Sequence, residues 1–332
     1  MEIRIIEASD LKKLTSVREG EEKIGQKLIP GSELVWEKLK DEAFQFVILG
    51  ICEDIGPRAN LGKGGAEKAW EAFLPKLINL QENQYLSGKD CCLFGNLHFE
   101  NKSQSVDELR EAVVEIDNQV SSIIQKIVAA GKIPIVIGGG HNNAYGLLKG
   151  SSLAMQQAIN CINLDPHADF RPLEGRHSGN GFSYAKKEGF LGNYGIVALH
   201  ENYNSQAMLE QLKSEGVRFN FFERIFIRQE QSFETAVQEQ LDFVKSTAFG
   251  VELDMDSIEG FPASAQTPSG ISPNMARQYV HKTAVSKNAI YLHLPEAAPA
   301  LVENSAEQVG KLLAYLVSDF VKAKSSKMGI KV

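Results

Sequence analysis

No stretch of the sequence approaches the ~20 consecutive apolar residues that a membrane-spanning helix needs, although 43% of its 332 residues are hydrophobic. A membrane span is therefore excluded. Basic stripes are also missing. The net charge is -7 with both signs mixed along the chain, which argues against a nucleic-acid binder. Cysteine is scarce. Cys52, Cys91, Cys92 and Cys161 lie in or beside apolar runs and show no metal-knuckle spacing, and the neighbours Cys91 and Cys92 are poor candidates for bonding each other. Buried free thiols in a reducing compartment are expected, and with them a cytoplasmic location. The N-terminal "MEIRIIEASDLKKL" is acidic and mixed, unlike a secretion signal. There is no Pro/Ser-rich linker, repeat or low-complexity tract, so a single domain over 1–332 is expected. The polar, weakly periodic residues 1–40 should form a peripheral extension on its outside.

What is present is a series of short apolar runs. "FQFVILG", "CCLF", "IPIVIG", "CINL", "YGIVAL", "VRFNFF", "AFGVEL" and "AIYLHL" suggest about eight strands. Most lack apolar/polar alternation, as strands buried on both faces of a parallel sheet do. Helical patterns lie between several of them. From about Val106 to Ala130, Leu109, Val113, Ile116, Val120, Ile123, Ile124 and Ile127 make one apolar stripe. Ser105 and Glu108 form a capping-box pattern at its start, and Gly131 ends it. "SFETAVQEQLDFVKS" and the segment after Ser305 read the same way. Alternating strand and helix predicts an α/β fold with a mainly parallel sheet.

In such a sheet ligands bind beyond the carboxyl ends of the strands, and four chemically loaded segments fall there. "IPIVIGGGH" brings His141. "CINLDPHADFR" brings Asp165, His167 and Asp169. "AFGVELDMD" brings Asp254 and Asp256, and "AIYLHLPEAAP" brings Glu296. Alternation in an extended segment puts Asp165, His167 and Asp169 on one side of the chain, and likewise Asp254 and Asp256. Packed together without cations, these carboxylates would repel one another and take up protons. A pair of divalent ions removes that cost. Mixed imidazole and carboxylate ligands suit Mn²⁺, with Zn²⁺ and Fe²⁺ left open by ligand type alone. A P-loop is absent: "GGGHNNAYGLLKG" and "NLGKGGAEKAW" both lack the G-K-[ST] ending.

The ordered set GGGH, D-x-H-x-D, H-S-G, D-x-D and E-x-x-P resembles the ureohydrolases: arginases, agmatinases and formimidoylglutamases. The resemblance runs from about Phe44 to the C-terminal helix. It implies a three-layer α/β/α sandwich, frequent homo-oligomers and two Mn²⁺ per chain. His141, Asp165, Asp169 and Asp254 would hold one ion. Asp165, His167, Asp254 and Asp256 would hold the other. "DPHADFRPLEGRHSGNGFSYA" is most similar to the formimidoylglutamase branch, whose members carry an Arg soon after D-x-H-x-D, as Arg171 is here. Asn180-Gly181 stands where that branch has Thr-Pro, Asn142 where an acidic residue is common, and Glu259-Gly260 where Asp-Pro is usual.

The activity implied is hydrolysis of a small linear amidine through a hydroxide held between the ions, with N-formimidoyl-L-glutamate giving L-glutamate and formamide. Asp169 would take the hydroxide proton, His177 would shuttle a proton to the leaving amine, and Glu296 would pair with the amidinium. Arg171 and Arg176 are candidates for the substrate carboxylates, with Asn180 and Asn142 as further contacts. Three alternatives stand beside this: hydrolysis of a guanidino compound with release of urea, a metal-binding relative without turnover, and a one-zinc deacetylase.

Overall fold

The computed structural model describes residues 1–326. Among these, ten strands form one sheet: β1 (Glu2–Ile5), β2 (Ile29–Pro30), β3 (Phe46–Cys52), β4 (Cys91–His98), β5 (Ile133–Ile137), β6 (Ile159–Leu164), β7 (Leu191–Leu199), β8 (Arg218–Phe221), β9 (Phe249–Leu253) and β10 (Ala289–Leu294). They run in the order β1-β4-β3-β5-β10-β9-β6-β7-β8, with β2 beside β4. Only β1 is antiparallel to its neighbour.

The eight apolar runs are β3 to β10. The two further strands, β1 and β2, come from the polar N-terminal segment. β1 has four residues, three of them exposed. Backbone pairing to the edge of β4 makes it a strand, so its side chains carry no apolar signal.

Burial on both faces follows from the strand sequences. In β3, Phe46 and Ile48 enter one core, while Val47, Leu49 and Ile51 enter the other. Helices Ala69–Leu77, Phe233–Val244, Pro273–Ala284 and Ala306–Ser326 supply side chains to the first core. Helices Val106–Ala129 and Asn143–Met155 supply the second. The result is a three-layer α/β/α sandwich. The apolar stripe of Val106–Ala129 is buried, and Ser105 caps it by accepting the Glu108 N–H. A Cβ on Gly150 would meet the Ser121 carbonyl at 2.5 Å, so glycine there lets helix Asn143–Met155 lie close against the longer one. No helix among the described residues is long and apolar enough to cross a membrane.

β5 and β6 follow one another in the chain yet are separated in the sheet by β10 and β9. The strand order reverses at this point, which opens a crevice at the carboxyl ends of β5, β10, β9 and β6.

Candidate active site

Each of those four strands ends in one of the loaded segments. Beyond β5, Gly138 (φ +79°) and Gly139 (φ +71°) take left-handed backbone, which lets the chain turn sharply into the following helix. Gly138 N–H donates to the Leu294 carbonyl and Glu296 N–H to the Gly139 carbonyl, both at 2.9 Å. These bonds tie the β5 loop to the β10 loop. Glu53, fully buried at the end of β3, accepts from Gly140 N–H and Asn143 Nδ2 at 2.7 Å, and from Gly56 N–H at 3.0 Å. Asp169 (φ +47°) and Glu296 (φ +65°) are non-glycine residues in left-handed backbone. Such strain is held in place by surrounding contacts and clusters at functional sites.

The expected ligands converge. His141 Nδ1 lies 3.2 Å from Asp165 Oδ2, 2.9 Å from Asp169 Oδ2 and 3.0 Å from Asp254 Oδ2. His167 Nδ1 lies 3.6 Å from Asp165 Oδ1 and 3.3 Å from Asp256 Oδ2. The ligand atoms of His141, Asp165, Asp169 and Asp254 form one group within 4.8 Å, and those of Asp165, His167 and Asp256 form a second. Asp165 joins the two groups through its two oxygens. The other oxygen of Asp254, expected to serve both groups, accepts the Asp256 N–H at 2.9 Å.

Electrostatics show what this packing demands. Burial, then Asp256 and Asp165, hold the Asp254 carboxyl well above the usual range. Asp169 and Asp256 are also raised, first by burial. Glu296 is pushed up to about 8 by burial and by Asp254. Asp165 goes the other way, because His141 and His167 outweigh its burial. Both imidazoles are raised well above their ordinary value by the carboxylates, against the opposing effect of burial. Without cations the cluster is thus held together by protons. His141 Nδ1 and Asp256 Oδ1 are nonetheless buried without a hydrogen-bond partner, a donor set that fits divalent cations.

Over this floor lies a cavity of about 450 Å³, lined by His167, Asp169, Asp254, Asp256 and Glu296 together with Arg171 and Tyr203. Glu296 accepts the His141 N–H at 2.8 Å and the Ser264 hydroxyl. Arg171 is half exposed and pairs with Glu174 at 3.2 Å.

Four expected residues sit elsewhere. Arg176 is buried, bonded to Asp117 at 2.8 and 3.2 Å and to Asn180 Oδ1. Its guanidinium lies between the rings of Tyr145 and Tyr184, 4.8 and 5.0 Å from their centroids. Every face of the fork is occupied, so it does not reach the cavity. Asn180 and Asn142 are fully buried, and Asn180 spends its amide on Arg176, His177 N–H and the Gly175 carbonyl. His177 is fully buried as well. Its Nδ1 accepts the Gly179 N–H at 3.1 Å, and its Nε2 faces Glu174 at 3.2 Å. Burial, against the pull of Glu174, lowers it to about 4, so it is neutral at pH 7. It shapes the cavity rim through Gly179 and does not line it.

Several contributors carried no sequence signal. Glu53 and Asp117 meet the loops after β5 and β6 through residues distant in the chain. Tyr203 stacks on His167 with ring centroids 5.1 Å apart and follows β7, where no motif marked it. Glu252, inside "AFGVEL", is a charged residue in an otherwise buried strand, and that oddity was its only trace.

The arginase family profile matches residues 44–321, and the chain belongs to that family, hydrolases of carbon–nitrogen bonds. Within it, the chain falls with the formimidoylglutamase branch. It is 25% identical over 288 residues to a formimidoylglutamase of Streptococcus pyogenes serotype M12, covering 83% of this chain and 85% of the relative. It is 27% identical over 279 residues to that of Macrococcus caseolyticus, with the same coverage. In fold it resembles a Trypanosoma cruzi formiminoglutamase solved with Mn²⁺ (TM-score 0.74, 20% identity, 91% of this chain and 98% of that one). It also resembles the Bacillus subtilis formimidoylglutamase (TM-score 0.72, 16% identity, 99% and 94%).

Two tests follow from the charges. In metal-free protein, Asp169, Asp254, Asp256, Glu296, His141 and His167 hold protons that the unfolded chain releases at lower pH. The folded state binds more protons, so stability falls as pH rises. The loss begins at ordinary carboxylate values near ~4, includes Glu296 at about 8, and continues above the ordinary imidazole range for His141 and His167. A divalent ion bound by these residues would replace those protons, so the upward shift of Tm with Mn²⁺ should be larger at pH 8 than at pH 5. Melts with Mn²⁺ and with chelator at both values check this, and a shift that vanishes or shrinks with rising pH counts against a cation here. Separately, Arg176→Ala leaves Asp117 buried and unpaired, which costs about 3–5 kcal/mol of stability. Denaturant unfolding measures the loss, and a variant as stable as wild type contradicts a structural Arg176.

Proposed function

We propose that this chain is a manganese-dependent formimidoylglutamase, converting N-formimidoyl-L-glutamate and water to L-glutamate and formamide with two Mn²⁺ per chain. The observation that carries the reading is the pair of ligand groups joined through Asp165 under a cavity whose rim bears Arg171. His141, Asp165, Asp169 and Asp254 would hold one ion, and Asp165, His167 and Asp256 the other, with Asp254 sharing in both on the family pattern. When bound, the ion pair supplies what the reaction lacks, a water acidic enough to deprotonate near neutral pH.

The chain's own groups do the rest. Asp169 stands on the cavity wall beside His141 Nδ1, where its carboxylate accepts the proton of the attacking water and passes it to the departing nitrogen. Glu296, in contact with Ser264 and His141 N–H, faces the cationic amidinium. A cation in front of it draws its carboxyl back toward the ionised form. Tyr203 and the Gly179 backbone bound the cavity and set which substrates enter. Arg171 is the candidate for a substrate carboxylate, since its guanidinium reaches the rim and its present partner Glu174 is partly exposed. His177, neutral at pH 7 and turned to Glu174, is assigned to holding that rim, with any proton relay passing through Glu174. Four buried free thiols suit a reducing, cytoplasmic setting, and a homo-oligomer is the expected assembly.

The reading is tested by incubating purified protein, with and without Mn²⁺, with formimidoylglutamate, agmatine, arginine and a guanidino acid. Formamide from the first compound alone, only with Mn²⁺, is the expected result. Urea from the others would move the chain to a guanidino substrate, and silence across the panel would leave a metal-binding relative without turnover. Arg171→Ala should raise KM for formimidoylglutamate about tenfold or more, in line with the loss of one charge-assisted contact. It should leave KM for an uncharged formamidine within about twofold. Equal effects on both would remove Arg171 from the substrate.

A further inference from the structure

A carboxylate stands in the middle of the sheet, on the far side of His141 from the ligand cluster. Glu252, in β9, is fully buried, as are its neighbours Tyr291 and His293 in β10. His293 pairs with Glu252 in the strand register. Tyr291 Oη donates to Glu252 Oε1 at 2.9 Å, and His293 Nδ1 lies 2.6 Å from Oε2. Room for the phenol comes from Gly250, where a Cβ would meet the Tyr291 ring at 2.0 Å. A buried carboxylate costs stability unless it is paired, and strand β9 otherwise holds Phe249, Gly250, Val251 and Leu253. Two hydrogen bonds explain how the charge is tolerated, but not why it is there.

His141 supplies a reason. Its Nδ1 faces Asp165, Asp169 and Asp254 at 2.9–3.2 Å. Its Nε2 is buried without a hydrogen bond and points away from them, 3.5 Å from Glu252 Oε2. A neutral imidazole has one N–H and one lone pair. If Nδ1 gives its lone pair to a cation, the proton must sit on Nε2. A buried N–H without an acceptor costs about 1–3 kcal/mol. Carboxylates that accept this second N–H fix the ring's tautomer and orientation, and their loss typically costs 10–100-fold in metal affinity.

We infer that Glu252 is a positioning residue that fixes the tautomer and aim of His141 and thereby sets the affinity of one of the two cation positions. This rests on the cation-binding reading above. The inference is selective. Glu252 approaches His141, which belongs only to the group with Asp169 and Asp254. No hydrogen bond or ion pair among the described residues joins the Glu252 carboxylate to the group of Asp165, His167 and Asp256. The ligand atoms of His141, Glu252 and His293 also lie within 4.8 Å of one another, so a third cation among them is the competing occupant, and the test distinguishes it.

The experiment is Mn²⁺ titration of the full chain, followed by calorimetry and by electron paramagnetic resonance, with no substrate present. Wild type should bind two ions with a spin-coupled signal. In Glu252→Gln, which leaves one acceptor for three donors, one binding step should weaken 10–100-fold while the other stays within about threefold. Intermediate Mn²⁺ should then give the signal of isolated ions. Glu252→Asp, which keeps the charge but withdraws it by one methylene, should weaken the same step and carries the test if the Gln variant does not fold. Tyr291→Phe, equally buried, leaves the carboxylate in place and should change neither step by more than about threefold. Unchanged affinities, equal weakening of both steps, an equal effect of Tyr291→Phe, or a third ion lost on substitution overturns the inference. Two ions in wild type with unaltered variants leaves the functional reading standing while this inference falls. A wild type that binds no ion overturns both.

Discussion

Like charges held a few ångströms apart under a folded protein form the constraint around which this molecule is arranged. Asp165, Asp169, Asp254 and Asp256 crowd against His141 and His167 at the bottom of one crevice, with Glu296 beside them. Without cations Asp169, Asp254, Asp256 and Glu296 are driven toward their protonated forms. The fold holds them together against that repulsion, and the surrounding structure can be understood as the means of doing so. Two strained residues, Asp169 and Glu296, are fixed in left-handed backbone. Glu53 fastens the glycine turn before His141 from a different strand. The loops after β5 and β10 are cross-linked by backbone bonds. Precision of this kind comes from rigid elements and a supporting shell more than from the ligands themselves.

The sheet makes that rigidity available. Strands buried on both faces contribute to two separate cores, so the four strand ends at the order reversal cannot move independently. The loop after β6 has its own clamp, the Arg176–Asp117 pair, with the guanidinium against Tyr145 and Tyr184. Arg171, five residues earlier, stays half exposed at the rim. The same residue type thus takes two places: one Arg fixes the loop, and the other lies at the cavity rim against Glu174.

Much of this was legible in the chain. Eight apolar runs marked β3 to β10, and their lack of alternation marked them as doubly covered. The D-x-H-x-D and D-x-D spacings placed ligand-type side chains on one side of extended segments. The two N-terminal strands were not legible, because β1 and β2 form by pairing backbone to β4 and their side chains need not be apolar. Nor could the roles of Arg171 and Arg176 be told apart, since both are arginines on one polar loop. His177 and Asn180 looked like cavity residues because they sit in and directly after the H-S-G motif, yet their polar atoms turn to Gly179, Glu174 and Arg176.

By itself the sequence determined what depends on neighbours along the chain: which segments are strands and helices, and which strand ends carry imidazole and carboxylate at alternating positions. Periodicity is a local property, and it survives without knowledge of the fold. Tertiary structure alone decided which strand ends meet and which charged side chain faces the cavity instead of the core. It also decided that Glu252 stands behind His141 across more than a hundred residues of chain. Such choices follow from contacts between distant segments, where burial and pairing, not residue type, decide what a charged group does.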